Sequence, residues 1–300
     1  MNPSPVSASL WMLASSIAFT AMSAFTHALG GRCPWPVVAF SRAILAFVFA
    51  SLLVRRAKAR FIVLRPRSIW LRSIAGSCSM LLTFYALPRL PLANTAVLTN
   101  TSPLWIGLLS WPILGKPPTR GVWAAILVSL FGVAIILRPE RDVDVWASAA
   151  AAGAAVCSAF AMMGLHRVAA LDHRAVVAHF SATAAFFTFL ASITVGGGRF
   201  PPVPDDVLVW QLLLAVGLTA TVGQLCMTRA YARGQPASIA VVGLSQVVFG
   251  LIIDVVFWNR HIDGWTLLGI ALVVIPTGCL MSATRREFIP PRERRLSSIG

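Results

Sequence analysis

PVVAFSRAILAFVFASLLV, residues 36–54, runs directly into Arg55-Arg56-Ala57-Lys58-Ala59-Arg60. An apolar run of this kind, with Arg42 its one charge, suits a helix that crosses a hydrocarbon layer of about 30 Å, which needs roughly 20 apolar residues. The basic run that ends it marks a cytoplasmic loop. The same alternation of apolar run and polar punctuation fills the chain. Ten transmembrane helices are expected, approximately Leu10 to Leu29, Pro36 to Val54, Ile69 to Leu87, Leu92 to Leu114, Gly121 to Leu137, Val145 to Leu165, Ala175 to Val195, Val207 to Ala230, Ala237 to Trp258 and Trp265 to Met281. Between them Pro and Gly interrupt the pattern, as in Pro88-Arg89-Leu90-Pro91, Gly115-Lys116-Pro117-Pro118 and Gly196-Gly197-Gly198. Composition agrees: 57% of residues are hydrophobic, 12% are charged, and the mean hydropathy is +0.79, so the fold class expected is an all-α integral membrane protein.

The net charge of +15 is distributed unevenly. With the N-terminus inside, cytoplasmic segments hold Arg55, Arg56, Lys58, Arg60, Arg65, Arg67, Arg72, Lys116, Arg120, Arg167, Arg174, Arg229, Arg233 and the tail arginines Arg285, Arg286, Arg292, Arg294 and Arg295. The opposite loops hold Arg32, Arg89, Arg138, Arg141, Arg199 and Arg260. This asymmetry of about three to one places both termini in the cytoplasm for an even number of spans. It also accounts for the basic run near residue 55 without nucleic acid, for which the chain has no base-reading module. The first span has no preceding basic residue and no cleavage pattern, and reads as a retained helix. Cys33, Cys78, Cys157, Cys226 and Cys279 show neither disulfide nor metal-ligand spacing.

Sliding the chain by 144 residues aligns the third to fifth spans with the eighth to tenth without a gap: Ala86 meets Ala230, Arg89 meets Arg233, Ala93 meets Ala237, Ala96 meets Ala240, Val97 meets Val241 and Ile126 meets Ile270. The fixed register indicates a duplication. Five spans per copy is odd, so the second copy enters the membrane from the opposite side, giving two inverted five-helix repeats at 7–138 and 145–282 and a basic cytoplasmic tail at 283–300. Inverted repeats suit carriers, because two packings of opposite orientation can exchange roles around a central site.

The stretch Phe84-Tyr85-Ala86-Leu87-Pro88-Arg89-Leu90-Pro91-Leu92-Ala93-Asn94-Thr95-Ala96, then Ser102-Pro103-Leu104-Trp105, Leu114-Gly115-Lys116, and Gly132-Val133 before Arg138-Pro139, resembles the EamA-type drug/metabolite transporters. The resemblance implies a ten-helix carrier with a cavity between its halves, moving amino acids, nucleoside or vitamin-like compounds, metabolite derivatives or toxic cations, often outward. One departure stands out: the usual Gly-Glu turn after the fourth span is Gly115-Lys116 here, and its second-half counterpart is Asn259-Arg260.

Ionisable groups inside a span are costly unless paired or facing water, so each is a functional candidate. Arg42 lies roughly 9 Å below the outer boundary of the second span. It could clasp a carboxylate or phosphate, or snorkel outward as a structural residue. Asp254, the only acid inside any span, lies at comparable depth in the ninth; it suits an ion pair or, desolvated, a proton carrier. His27 and His179 could join a proton path or simply pack. Asn94, Asn100, Thr101, Ser102, Gln224 and Gln246 are amides and hydroxyls that could line a polar cavity or join helices. Pro103 frees backbone groups inside the fourth span, and Trp105 beside it could stack on cargo. Trp11, Trp35, Trp70, Trp146 and Trp258 near span ends read as interfacial anchors, and the alanine-rich sixth span reads as a close-packing face.

The pattern carries no nucleophile motif, no HExxH, no paired intramembrane acids and no nucleotide-binding lysine loop. A membrane-embedded enzyme and direct ATP drive are therefore disfavoured, and no cofactor or metal is expected. What remains is a secondary transporter working by alternating access, with a small-molecule substrate and the lipid bilayer as its partners and no nucleic acid. Arg42 tilts the cargo toward a carboxylated or zwitterionic amino-acid-like compound, opine-type metallophores included, with efflux from a bacterial inner membrane as the leading reading. An uptake permease for a vitamin- or nucleoside-like metabolite is the alternative. Oligomeric state, a homodimer included, is left open.

Overall fold

A computed structural model describes residues 5–29, 32–64, 66–86, 89–90, 92–115, 117–138, 144–195, 198–202, 205–258 and 263–287. Lys116, Asn259, Arg260 and the basic tail from 288 onward lie outside the described residues. The described residues are helical with no strand. In chain order the helices are α1 (Pro5–Leu29), α2 (Trp35–Arg56), α3 (Ser68–Ala86), α4 (Leu92–Thr99), α5 (Ser102–Leu114), α6 (Arg120–Leu137), α7 (Val145–Arg167), α8 (His173–Val195), α9 (Val207–Arg233), α10 (Pro236–Gly243), α11 (Ser245–Trp258) and α12 (Gly264–Glu287).

Several of the chain's few acids start helices. Asp144 accepts from the Trp146 and Ala147 amides at 2.8 and 3.2 Å, Asp206 from Leu208 at 2.9 Å, and Asp263 from Thr266 at 3.0 Å. Each satisfies amides that have no intrahelical acceptor and sets a negative charge at the positive end of the helix dipole. Thr119 does the same for Val122 without charge. At the other ends, α5 closes on Gly115 and α6 on Arg138, both in the left-handed region at φ 68° and 48°.

Eight helical segments are long and apolar enough to cross a membrane: Ser7–Leu29, Trp35–Arg56, Arg120–Leu137, Val145–Arg167, His173–Thr194, Val207–Arg233, Pro236–Phe257 and Gly264–Ser282. The third and fourth expected spans are not among them. In α3, Arg72 and four serines, Ser68, Ser73, Ser77 and Ser79, dilute the apolar run. The fourth is broken at Asn100 and Thr101 into α4 and α5, with Pro103 in the first turn of α5, where its missing N–H costs nothing. The ninth breaks at the matching place, Leu244, between α10 and α11, since 244 − 100 is again the 144-residue register. The sequence pattern suggested one continuous helix in each case.

Side chains add hydrogen bonds to backbone carbonyls at both breaks. At the first, Asn100 Nδ2 and Thr101 Oγ1 turn back on Ala96 O and Leu98 O at 2.7 and 2.6 Å. At the second the donors come from α1: Ser16 Oγ reaches Gly243 O at 3.5 Å and Thr20 Oγ1 reaches Gln246 O at 3.3 Å.

The main packing pairs are α1 on α9, α3 on α7, α2 on α8 and α6 on α12, with α3 on α8 and α2 on α9 next. Small residues set the close approaches. The face of α7 built from Ala147, Ala151, Ala154, Ala155, Ala159 and Ala161 is buried, and a Cβ at Gly164 would lie 2.9 Å from the Arg72 amide nitrogen. Phe131, Trp210, Leu267 and Ile275 stay exposed on the outer faces, an apolar surface that a bilayer covers. Of the expected interfacial tryptophans, Trp146 is exposed. Trp70 instead meets the His179 ring edge-on, centroids 4.7 Å apart, and Trp11 lies 4.5 Å beneath the Arg229 guanidinium.

Candidate functional site

A cavity of about 590 Å³ opens between α1, α2, α3, α7, α9 and α11, a size suited to a small metabolite, for which pockets of about 300–1,000 Å³ are usual. Methionines and Phe19 supply an adaptable apolar wall: Met22, Met80, Met162 and Met227. Polar groups project from the same walls, with Ser23, Thr26 and His27 on α1, Arg42 on α2, Arg72, Ser79 and Thr83 on α3, Ser158 on α7, Gln224 on α9 and Gln246 on α11. A smaller chamber of about 140 Å³ adjoins it, lined by Thr20, Ser23, His27, Gln246 and Asp254. Ser23, His27 and Gln246 belong to both, so the acid stands next to the main cavity rather than in it.

Of the residues singled out in sequence, Arg42, His27, Gln224 and Gln246 line the main cavity and Asp254 the adjoining chamber. Asn94, Asn100 and Trp105 are not in the lining. Asn94 is buried, Asn100 bonds to its own helix, and Trp105 packs against the core cluster around Ile106 and Ile126. Arg42 and Asp254 do not form an ion pair; the guanidinium of Arg42 instead points Nη1 at Met80 Sδ, 3.7 Å away. His179 takes the packing role: Nδ1 meets Ser73 Oγ at 2.7 Å and Nε2 meets Val63 O at 3.1 Å. Both ring nitrogens are engaged, which leaves no free nitrogen for a proton path.

The residue that sequence reading misplaced is Arg72. Grouped there with the cytoplasmic loop charges, it is only 2% exposed. Nη2 donates to Gln224 Oε1 at 3.0 Å, and the guanidinium stacks on Phe180, 4.1 Å from the ring centroid. A signal existed. Arg72 falls inside the third span, and Gly76 follows one helical turn later on the same face, where a Cβ would collide with Arg72 Nη1 and lie 2.8 Å from Phe180 Cε2. Arginine followed by glycine at this spacing is a slot for a side chain lying along its own helix.

The pattern of the EamA-like transporter family matches the chain twice, over residues 6–138 and 145–282. The pseudopaline exporter CntI of Pseudomonas aeruginosa is 27% identical over 264 residues, which cover 87% of this chain and 91% of the exporter. Human solute carrier family 35 member G1 is 24% identical over 290 residues, 91% of this chain and 78% of the carrier. A solved crystal structure 20% identical in sequence superposes with a TM-score of 0.81 over 94% of this chain and 99% of its own, which supports the fold. The relatives are transporters, so an enzymatic role is set aside. This multi-pass membrane protein belongs to the EamA-like transporter family.

Proposed function

We infer that the protein is a secondary carrier that exports a carboxylated or zwitterionic amino-acid-like metabolite across a bacterial inner membrane by alternating access. One observation carries this reading: the metabolite-sized cavity is walled by helices from both halves of the chain and holds Arg42 with no acid paired to it among the described residues. A half-buried cation inside a span without a counter-charge is costly, and a carboxylate cargo offsets that cost.

The packing supports ten spans in two inverted repeats, 7–138 and 145–282, if α4–α5 and α10–α11 each count as one broken span. Exchanging each helix for its counterpart turns α1 on α9 into α7 on α3, and α3 on α8 into α9 on α2, while α2 on α8 and α6 on α12 map onto themselves. Each of these is a principal contact. Broken helices at matching places are where such carriers bind cargo and coupling ions. In this reading both termini are cytoplasmic, and Asp254 with His27 forms the proton-coupling chamber beside the cargo site. A relative that is an exporter supports outward movement.

The test compares metabolites inside and outside a deletion strain, a strain expressing the protein, and one expressing Arg42→Ala. Export predicts a carboxylated compound retained by the deletion strain and released on expression, with release lost in Arg42→Ala. Depletion of the medium on expression would reverse the direction, and an unchanged profile across growth conditions would remove the carrier reading.

A further inference from the structure

Packing alone does not explain Arg72. The register that carries α3 onto α9 brings Val216, fully buried, to its place, so an apolar residue fills that position in the second half. Arg72 is buried with Nε lacking any acceptor, and one hydrogen bond to a neutral amide is its whole polar complement among the described residues. Native structures rarely leave such donors unused without a reason. The Gln224 carboxamide orients the guanidinium without neutralising it, whereas a carboxylate there would satisfy the charge and compete with any anionic ligand. Arg42 lines the same cavity, likewise without an acid partner.

We propose that Arg42 and Arg72 form a two-cation site for a cargo bearing two carboxylates, one held by each guanidinium; the proposal rests on the carrier reading above. The head of Arg72 lies over Gly76 and that of Arg42 beside Met80, one turn further along α3, a rise of about 6 Å. Neither guanidinium has an acid partner among the described residues, so two positive charges are left to be offset and one carboxylate neutralises only one of them. Two carboxylates joined by a short carbon chain supply both charges. Phe180 stacks on Arg72 and fixes its plane, and Gly76 leaves the space in which that plane lies.

The experiment uses the purified full chain in lipid nanodiscs at matched ionic strength. Thermal unfolding is followed during titration with two matched pairs of probes, glutamate against glutamine and succinate against succinamate. Ligand that binds only the folded chain raises its midpoint, so the titration reports apparent affinity. In the wild type each dicarboxylate is expected to bind about tenfold or more tightly than its monoamide, the factor given by one charge-assisted hydrogen bond. Arg72→Gln is expected to abolish that preference. Gly76→Ala is expected to do the same by displacing Nη1 while retaining the charge, and it carries the test if Arg72→Gln does not fold. Equal responses to acid and amide in both pairs, no response included, overturn the proposal, as does a folded Arg72→Gln that keeps the preference. The carrier reading is judged separately by the strain comparison: a cargo with a single acidic group refutes the two-cation site and leaves the carrier standing.

Discussion

Substituting Gly132 by alanine tests whether the crossing of α6 and α12 is as close as the structure shows. A Cβ at Gly132 would lie 2.7 Å from Gly269 O and 2.8 Å from Leu272 Cβ, where ordinary contact begins at 3.4 Å. The shortfall is 3.4 − 2.7 = 0.7 Å against a backbone carbonyl, which no rotamer change relieves. The helices must part by about that distance, loosening Ile136, Val133 and Val273, all buried in the seam. Overpacking of this kind costs roughly 1–3 kcal/mol, and the thermal midpoint of the purified protein should fall by several degrees. The partner glycine sharpens the test. Gly269→Ala meets Gly132 O at 2.8 Å across the same gap, so the first alanine opens the space the second needs, and the double variant should lose less than the sum of the singles. An unchanged midpoint in Gly132→Ala, or strict additivity in the double variant, would refute this picture of the seam.

Ser16 and Thr20 donate hydroxyls to Gly243 O and Gln246 O beside the α10–α11 break; replacing both by alanine should destabilise the protein by about 0.6 kcal/mol per bond, up to about 1.7, read as a lowered thermal midpoint. His179→Phe keeps the ring against Trp70 but strands Ser73 Oγ and Val63 O; a loss of roughly 1–3 kcal/mol in stability is expected with cargo preference in vesicle transport unchanged. Asp263 lies outside the membrane spans, where the Thr266 hydroxyl, then Arg138, hold its carboxyl well below the usual carboxylate range. A depressed folded pKa stabilises above the unfolded value, about 3.9, and that stabilisation fades as pH falls through the folded value. Thermal midpoints measured from neutral to acid pH should therefore fall at the acid end in the wild type, and less steeply in Asp263→Asn.

Eight of the ten expected spans were legible because the bilayer imposes one rule on long apolar runs, which Pro36 to Val54 obeys with the single exception of Arg42. The breaks at Asn100–Thr101 and Leu244 were harder. Pro103 announces the first, but Leu244-Ser245-Gln246 is an unremarkable run of residues, and the hydroxyls that meet carbonyls at this break come from α1, more than 200 positions away. The cavity was half legible. Arg42, His27, Gln224 and Gln246 stand out as polar groups in apolar helices and do line it. Asn94, Asn100 and Trp105 have the same appearance in sequence but face away, since composition does not say which side of a helix looks inward. Arg72 failed for the opposite reason. It stands close enough to the basic loop to be counted with it, and only the slot at Gly76 distinguishes a cation lying inward along α3 from one reaching to water.

The two halves bring different chemistry to the site. Both guanidiniums in the cavity, Arg42 and Arg72, come from the first half, whereas Gln224, Gln246 and the adjoining Asp254 come from the second. On the two-repeat reading, packing constrains what the halves share, and the side chains facing the cavity are where the copies diverge: Val216 stands where Arg72 would be repeated. A carboxylated cargo is then held chiefly by one half, against an acceptor-bearing wall supplied by the other. If the halves rock past one another as proposed, the cations travel with their own half, and the polar wall opposite them changes. The Gln224 contact to Arg72 crosses that boundary. In the proposed carrier it would couple the orientation of the Arg72 guanidinium to the relative position of the halves.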